Sequence, residues 1–150
     1  NRSRAEFCWT CTAFLIKYTL DDAVVMHNDV AELYWQIIIG DSSYNDSEKD
    51  VKVKVYLPSS DASDYFRFWA HGSLTGNIKK INSEDVTGVY LTIDELEKSD
   101  DMDVRITFDS SLITDDYSLD HSNQDAFDEI LKVEKKRADE ANKERKKLKN

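Results

Sequence analysis

The sequence predicts a mainly β protein: an antiparallel β-sandwich of about seven strands followed by a C-terminal α-helix. Three observations carry this. Val51, Val53, Val55 and Leu57 alternate strictly with Lys52, Lys54 and Tyr56 and end at Pro58, the pattern of a strand with one buried face. Six more extended apolar segments are separated by short polar turns. Beyond residue 121 the apolar period changes from two to that of a helix.

In chain order, the candidate strands are "FLIKYTL" from Phe14, "VAELYWQIII" from Val30 and the Val51–Leu57 run. They continue with "YFRFWA" from Tyr65, "GNIKKI" from Gly76, "VTGVYLTI" from Val86 and "DVRITF" from Asp103. Turns fall at Asp21, Gly40, Pro58 and Asn82, where Asp, Asn, Ser, Gly or Pro cluster. With no helical pattern between strands, a parallel βαβ sheet is disfavoured. Residues 109–121 read as a polar connector. "SNQD" then offers Ser122 as N-cap with Asp125 three residues on, a variant of the capping box. Phe127, Ile130, Leu131, Glu134, Ala138, Ala141 and Leu148 follow helical spacing on a stripe that fades toward the end. The helix is expected to dock by Phe127, Ile130 and Leu131 and then project from the body. The chain thus divides into a sandwich, 1–121, and a helix, 122–150.

A length of 150 residues suits one domain with an appendage, and 40% hydrophobic residues supply a core. The longest strongly apolar run, "LYWQIIIG", is far short of the roughly 20 residues that cross a bilayer, so the chain as given is expected to be soluble. The net charge of −10 conceals an asymmetry. From Lys132 to Asn150 nine Lys or Arg face four Asp or Glu, leaving eleven basic and twenty-six acidic residues in 1–131. An acidic body would repel phosphates, so nucleic acid is not an expected partner. The basic helix end reads as a solvated helix or as a segment near an anionic membrane.

Few constellations suggest chemistry. "CWTC", Cys8 to Cys11, has the spacing of a thiol redox pair, but it lies in a stretch that reads as extended, where residues three apart point to opposite faces. His27, His71 and His121 lack zinc-motif spacing, and no metal or cofactor is expected. The acidic segments 41–50, 97–103 and 114–120 lack the glycine of a calcium loop and read as solvated loops. In "RFWAHGSLTGNIKKI" His71 could act as base for Ser73, but one adjacent pair does not make a triad. The simpler reading has Trp69 packed inward, His71 and Gly72 bending the chain, and Gly76 opening the next strand.

The segments "YTLDDAVVMHNDVAELYWQIIIG", "VKVKVYLP", "FWAHGSLTGNI", "DVRITFD" and "ILKVEKKRADEANKERKK" together resemble a family of bacterial predicted membrane proteins, domain of unknown function 2207. The most specific pieces are the run Asp29 to Trp35 and the corner Trp69 to Gly72. The resemblance implies a β-rich extracytoplasmic region, here its second half, with the Glu134–Lys147 helix leading toward a membrane anchor. "CWTC" is not part of the family pattern, and the family brings no established reaction.

The function expected is therefore that of a non-enzymatic extracytoplasmic binding or scaffolding domain of a membrane-anchored bacterial protein. Its partner would be a protein or envelope component, with Tyr44, Tyr65, Trp69 and His71 as ligand-binding candidates and no catalytic residue. The alternatives are an envelope hydrolase using His71 and Ser73, or a thiol redox protein using Cys8 and Cys11. A homodimer through the helix or an open sheet edge is a further structural possibility.

Overall fold

In the computed structural model the described residues are 15–41, 47–83, 85–114 and 120–148. The alternating Val/Lys run forms part of β3 (Glu48–Tyr56), with Val51, Val53 and Val55 half-buried and Lys52, Lys54 and Tyr56 exposed. The other elements are β1 (Val24–Met26), β2 (Ala31–Ile38), β4 (Arg67–His71), β5 (Asn77–Asn82), β6 (Thr87–Leu96), β7 (Met102–Phe108), β8 (Asp120–His121) and α1 (Phe127–Leu148). One sheet has the order β4-β7-β2-β1-β8 and the other β3-β6-β5. All pairings are antiparallel except β1 with β8.

The central strands supply the shared core. On β6 these are Val89, Leu91, Ile93 and Leu96, and on β7 Met102, Val104, Ile106 and Phe108, all buried, with Leu57 and Phe66 closing the cluster. Two apolar faces that cannot be left in water meet here, at about 25 cal/mol for each Å² of apolar surface removed from it. A polar pin closes one end. The buried Asp61 accepts from the Ser63 and Asp109 amides at 2.7 and 3.0 Å, while its own amide donates to Thr87 Oγ1 at 2.9 Å.

Six of the seven expected strands form. The exception is "FLIKYTL": among its described residues only Leu15 makes an isolated bridge, and Leu15, Ile16, Tyr18 and Leu20 are exposed. Among the described residues no strand pairs with residues 16–20, and an apolar alternation without a paired neighbour has no face to bury. Two strands go unforeseen because three-residue β1 and two-residue β8 are too short to show alternation. The face of Trp69 is also reversed from expectation. Phe68 packs against the core, while Trp69 pairs with Arg105 on the opposite, outer face of the sheet.

The helix lies against that outer face, and its start is not capped as expected. Asp29, in the β1–β2 connection, accepts from the Ala126 amide at 2.9 Å and the Phe127 amide at 3.0 Å, capping the helix from another part of the chain. Ser122 instead bonds His27 Nδ1 at 2.7 Å through its Oγ. Nor does the second half of α1 leave the body at once, since Arg145 Nε donates to the Leu74 carbonyl at 2.9 Å.

Candidate functional site

Because side chains alternate along a strand, the residues between the core positions of β2, β4 and β7 point away from the core. On this outer face Glu32 and Tyr34 of β2, Trp69 and His71 of β4, and Asp103 and Arg105 of β7 stand in adjacent registers: Tyr34 opposite Arg105, Arg105 opposite Trp69, and Asp103 opposite His71. The helix closes over them. Ile130 and Glu134, one turn apart, are its buried positions, so a carboxylate is pressed onto a polar sheet face.

The result is a chain of charge-assisted hydrogen bonds. His27 Nε2 meets Glu32 Oε2 at 2.8 Å, and Arg105 Nε donates to Glu32 Oε1 at 2.6 Å. The other end of the same guanidinium donates to Glu134 Oε1 at 2.9 Å, and His71 Nε2 meets Glu134 Oε2 at 2.7 Å. Arg105 therefore bridges two carboxylates, each of which also holds a histidine. The Glu134 side chain is 1% exposed and that of His71 20%, so the contacts are largely shielded from water and salt. Arg137 adds an outer rung, donating to Tyr34 Oη at 3.1 Å, and Tyr34 donates to Asp103 Oδ2 at 3.3 Å. The bond to Tyr34, with the charges of Glu134 and Asp103, outweighs burial and holds the Arg137 guanidinium above its ordinary pKa. Two buried atoms of the cluster, His71 Nδ1 and Asp103 Oδ1, have no hydrogen-bond partner among the described residues, and they belong to cross-strand neighbours.

At the helix start, burial pushes the Asp29 carboxyl up. The two helix amides, its own amide and nearby His27 outweigh that and hold it below the usual carboxylate range.

Beside the charge cluster, a cleft of about 560 Å³ runs between the second half of α1 and β4 with its following turn, lined by Trp69, His71, Ser73, Leu74, Arg137 and Arg145 among others. Gly72 shapes its floor. With φ of +130° and a Cβ position 2.3 Å from the Asp101 carbonyl oxygen, only glycine fits there. His71 is thus the last residue of β4 and Gly72 makes the bend, while the imidazole is held by Glu134 of the helix.

Of the ligand-binding candidates, Trp69 and His71 come together in this cleft. Tyr65 stands apart, its ring edge-on to Phe127 with centroids 5.2 Å apart. Tyr44, Cys8 and Cys11 lie outside the described residues. Ser73 Oγ bonds Thr75 Oγ1 at 2.8 Å. Among the described residues no group of three or more His, Cys, Asp or Glu is placed to hold a metal ion. Sequence reasoning missed Glu32, Arg105 and Arg137 altogether and read Glu134 only as part of the helical stripe. Their signals were an acid and a base inside otherwise apolar strands and a carboxylate one turn after Ile130 on the helix's apolar stripe.

Among the described residues no helix is long and apolar enough to cross a membrane. Searches of the curated proteins and of the solved structures found no match. A family model for the N-terminal domain of predicted membrane proteins (DUF2207) matches residues 12–108, from before β1 to the end of β7, so that the sheet half of the charge cluster lies inside the match and Glu134 and Arg137 outside it. The chain therefore belongs to the DUF2207 family of predicted membrane proteins.

Proposed function

We propose that this is a non-enzymatic binding or scaffolding domain on the extracytoplasmic side of a membrane-anchored bacterial protein, with the cleft between α1 and β4 as its binding face. The observation that carries the reading is that His71 and Ser73 are each engaged elsewhere. His71 Nε2 is held by Glu134, Glu134 by Arg105, and Ser73 by Thr75, so His71 and Ser73 do not form a base–nucleophile pair, and Ser122, whose Oγ does meet His27 Nδ1, is not among the residues lining the cleft. The charge cluster fixes helix to sheet, and the cleft beside it offers an indole next to hydrogen-bonding side chains, a combination suited to a ligand with an apolar face and polar edges.

The test is retention of the purified chain on cell-wall fragments, run beside assays for ester hydrolysis and thiol oxidation. The reading expects retention, its loss in Trp69→Ala at unchanged melting temperature, and no turnover. Ester hydrolysis abolished by both His71→Ala and Ser73→Ala would establish the hydrolase instead. Thiol oxidation abolished by Cys8→Ser would establish the redox protein.

A further inference from the structure

The outer face of the other sheet has the opposite character. Lys54, Tyr90 and Lys79 stand side by side across β3, β6 and β5, with Lys52, Thr92 and Asn77 forming the next row and Tyr56, Gly88 and Ile81 the row on the other side. The Lys54 and Lys79 ammonium groups lie 5.6 and 5.4 Å from the centre of the Tyr90 ring. Tyr56 is 54% exposed, and its ring lies close over Gly88. None of Lys52, Lys54 and Lys79 is in an ion pair among the described residues. In a chain of net charge −10, three lysines outside any ion pair among the described residues share these three rows with no carboxylate, a local inversion of sign that ends one row further on at the exposed Asp94.

We propose that this face docks on an anionic lipid bilayer. Charge complementarity argues for an anionic surface rather than a neutral one. The two tyrosines argue for a bilayer, where phenol rings settle at headgroup level with the hydroxyl in water and the ring against acyl chains. Long lysine stems let the ammonium groups reach the phosphates from beside the rings. The inference rests on the membrane-held domain proposed above but uses a different face, so each can fail alone. A domain tethered at one end would be held by this face at a second point, which fixes its tilt and the direction of its cleft.

The experiment is co-sedimentation of the chain with vesicles of phosphatidylcholine alone and with 30% phosphatidylglycerol, at low and physiological salt. Binding is expected only to the anionic vesicles and is expected to weaken with salt. Since each lysine near such a surface is worth about fivefold, Lys52→Gln/Lys54→Gln/Lys79→Gln should bind about a hundredfold more weakly while keeping the parent's melting temperature and cell-wall retention. Tyr56→Ser should weaken binding further without altering its salt dependence. Lys146→Gln/Lys147→Gln, at the helix end, should leave binding little changed. Equal binding by the parent and the triple variant, loss confined to the helix-end variant, or binding to soluble polyphosphate but not to vesicles would each overturn the proposal.

Discussion

The two outer faces of the sandwich use charge in opposite ways. On the five-stranded sheet Glu32, Arg105 and His71 lie under the helix and its Glu134, and each of these groups is bonded to a partner at 2.6–2.9 Å. On the three-stranded sheet Lys52 and Lys54 are exposed, and the Lys54 ammonium lies 5.6 Å from the centre of the Tyr90 ring. Buried charge must be matched because leaving one partner alone costs several kcal/mol. Exposed charge need not be, and so remains free for a surface outside the molecule. The first face is a fastening and the second an offer.

The largest effect should come from removing the shared cation. Arg105→Ala leaves Glu32 and Glu134 facing each other in a shielded site, and equilibrium unfolding should show a loss of about 3–5 kcal/mol. A variant within about 1 kcal/mol of the parent would erase the distinction between the faces. Next is Gly88→Ala on the open face. A Cβ there would stand 2.4 Å from the Val55 carbonyl oxygen, so the β3–β6 pairing must shift, at about 1–3 kcal/mol by thermal melting. That cost would show that the open face depends on backbone fit where the closed one depends on charge.

Smaller again is Asp29→Ala, which strips two amides at the helix start and should cost about 1 kcal/mol. The same carboxylate predicts acid sensitivity. Its pKa is depressed in the folded state, so its contribution is complete above the unfolded value near 3.9 and is lost as pH falls through the lower folded value. Circular dichroism melts from pH 5 to pH 2 should show the parent losing more stability than Asp29→Asn. The smallest effect belongs to Lys52→Gln/Lys54→Gln/Lys79→Gln, whose stability should stay within about 0.5 kcal/mol of the parent.

How much of this the sequence disclosed follows from the range of each signal. The Val51–Leu57 alternation identified β3 and its buried side because a strand facing solvent on one side writes a period of two into the chain. "YFRFWA" was read as a strand, but its two faces are both covered, one by core and one by helix, so Phe68 and Trp69 gave no rule for which points inward. The helix was legible from its spacing. Its cap was not, because Asp29 is 97 residues from Ala126 and only the tertiary fold brings them together. The charge cluster was the least legible part. It joins four separate elements, and no local pattern says that Glu32, Arg105 and Glu134 will share one set of bonds, although each was an ionisable residue at a position its neighbours marked as buried.

The central claim is that α1 is held to the sheet by coupled buried charges, and a double-mutant cycle between Arg105 and Glu134 tests it most directly. Unfolding free energies of the parent, Arg105→Ala, Glu134→Ala and the double variant should give a coupling of about 2 kcal/mol, the double variant being much less destabilised than the sum of the singles. Additivity to within about 0.5 kcal/mol would mean that the two charges are neighbours without being a fastening, and would contradict the account.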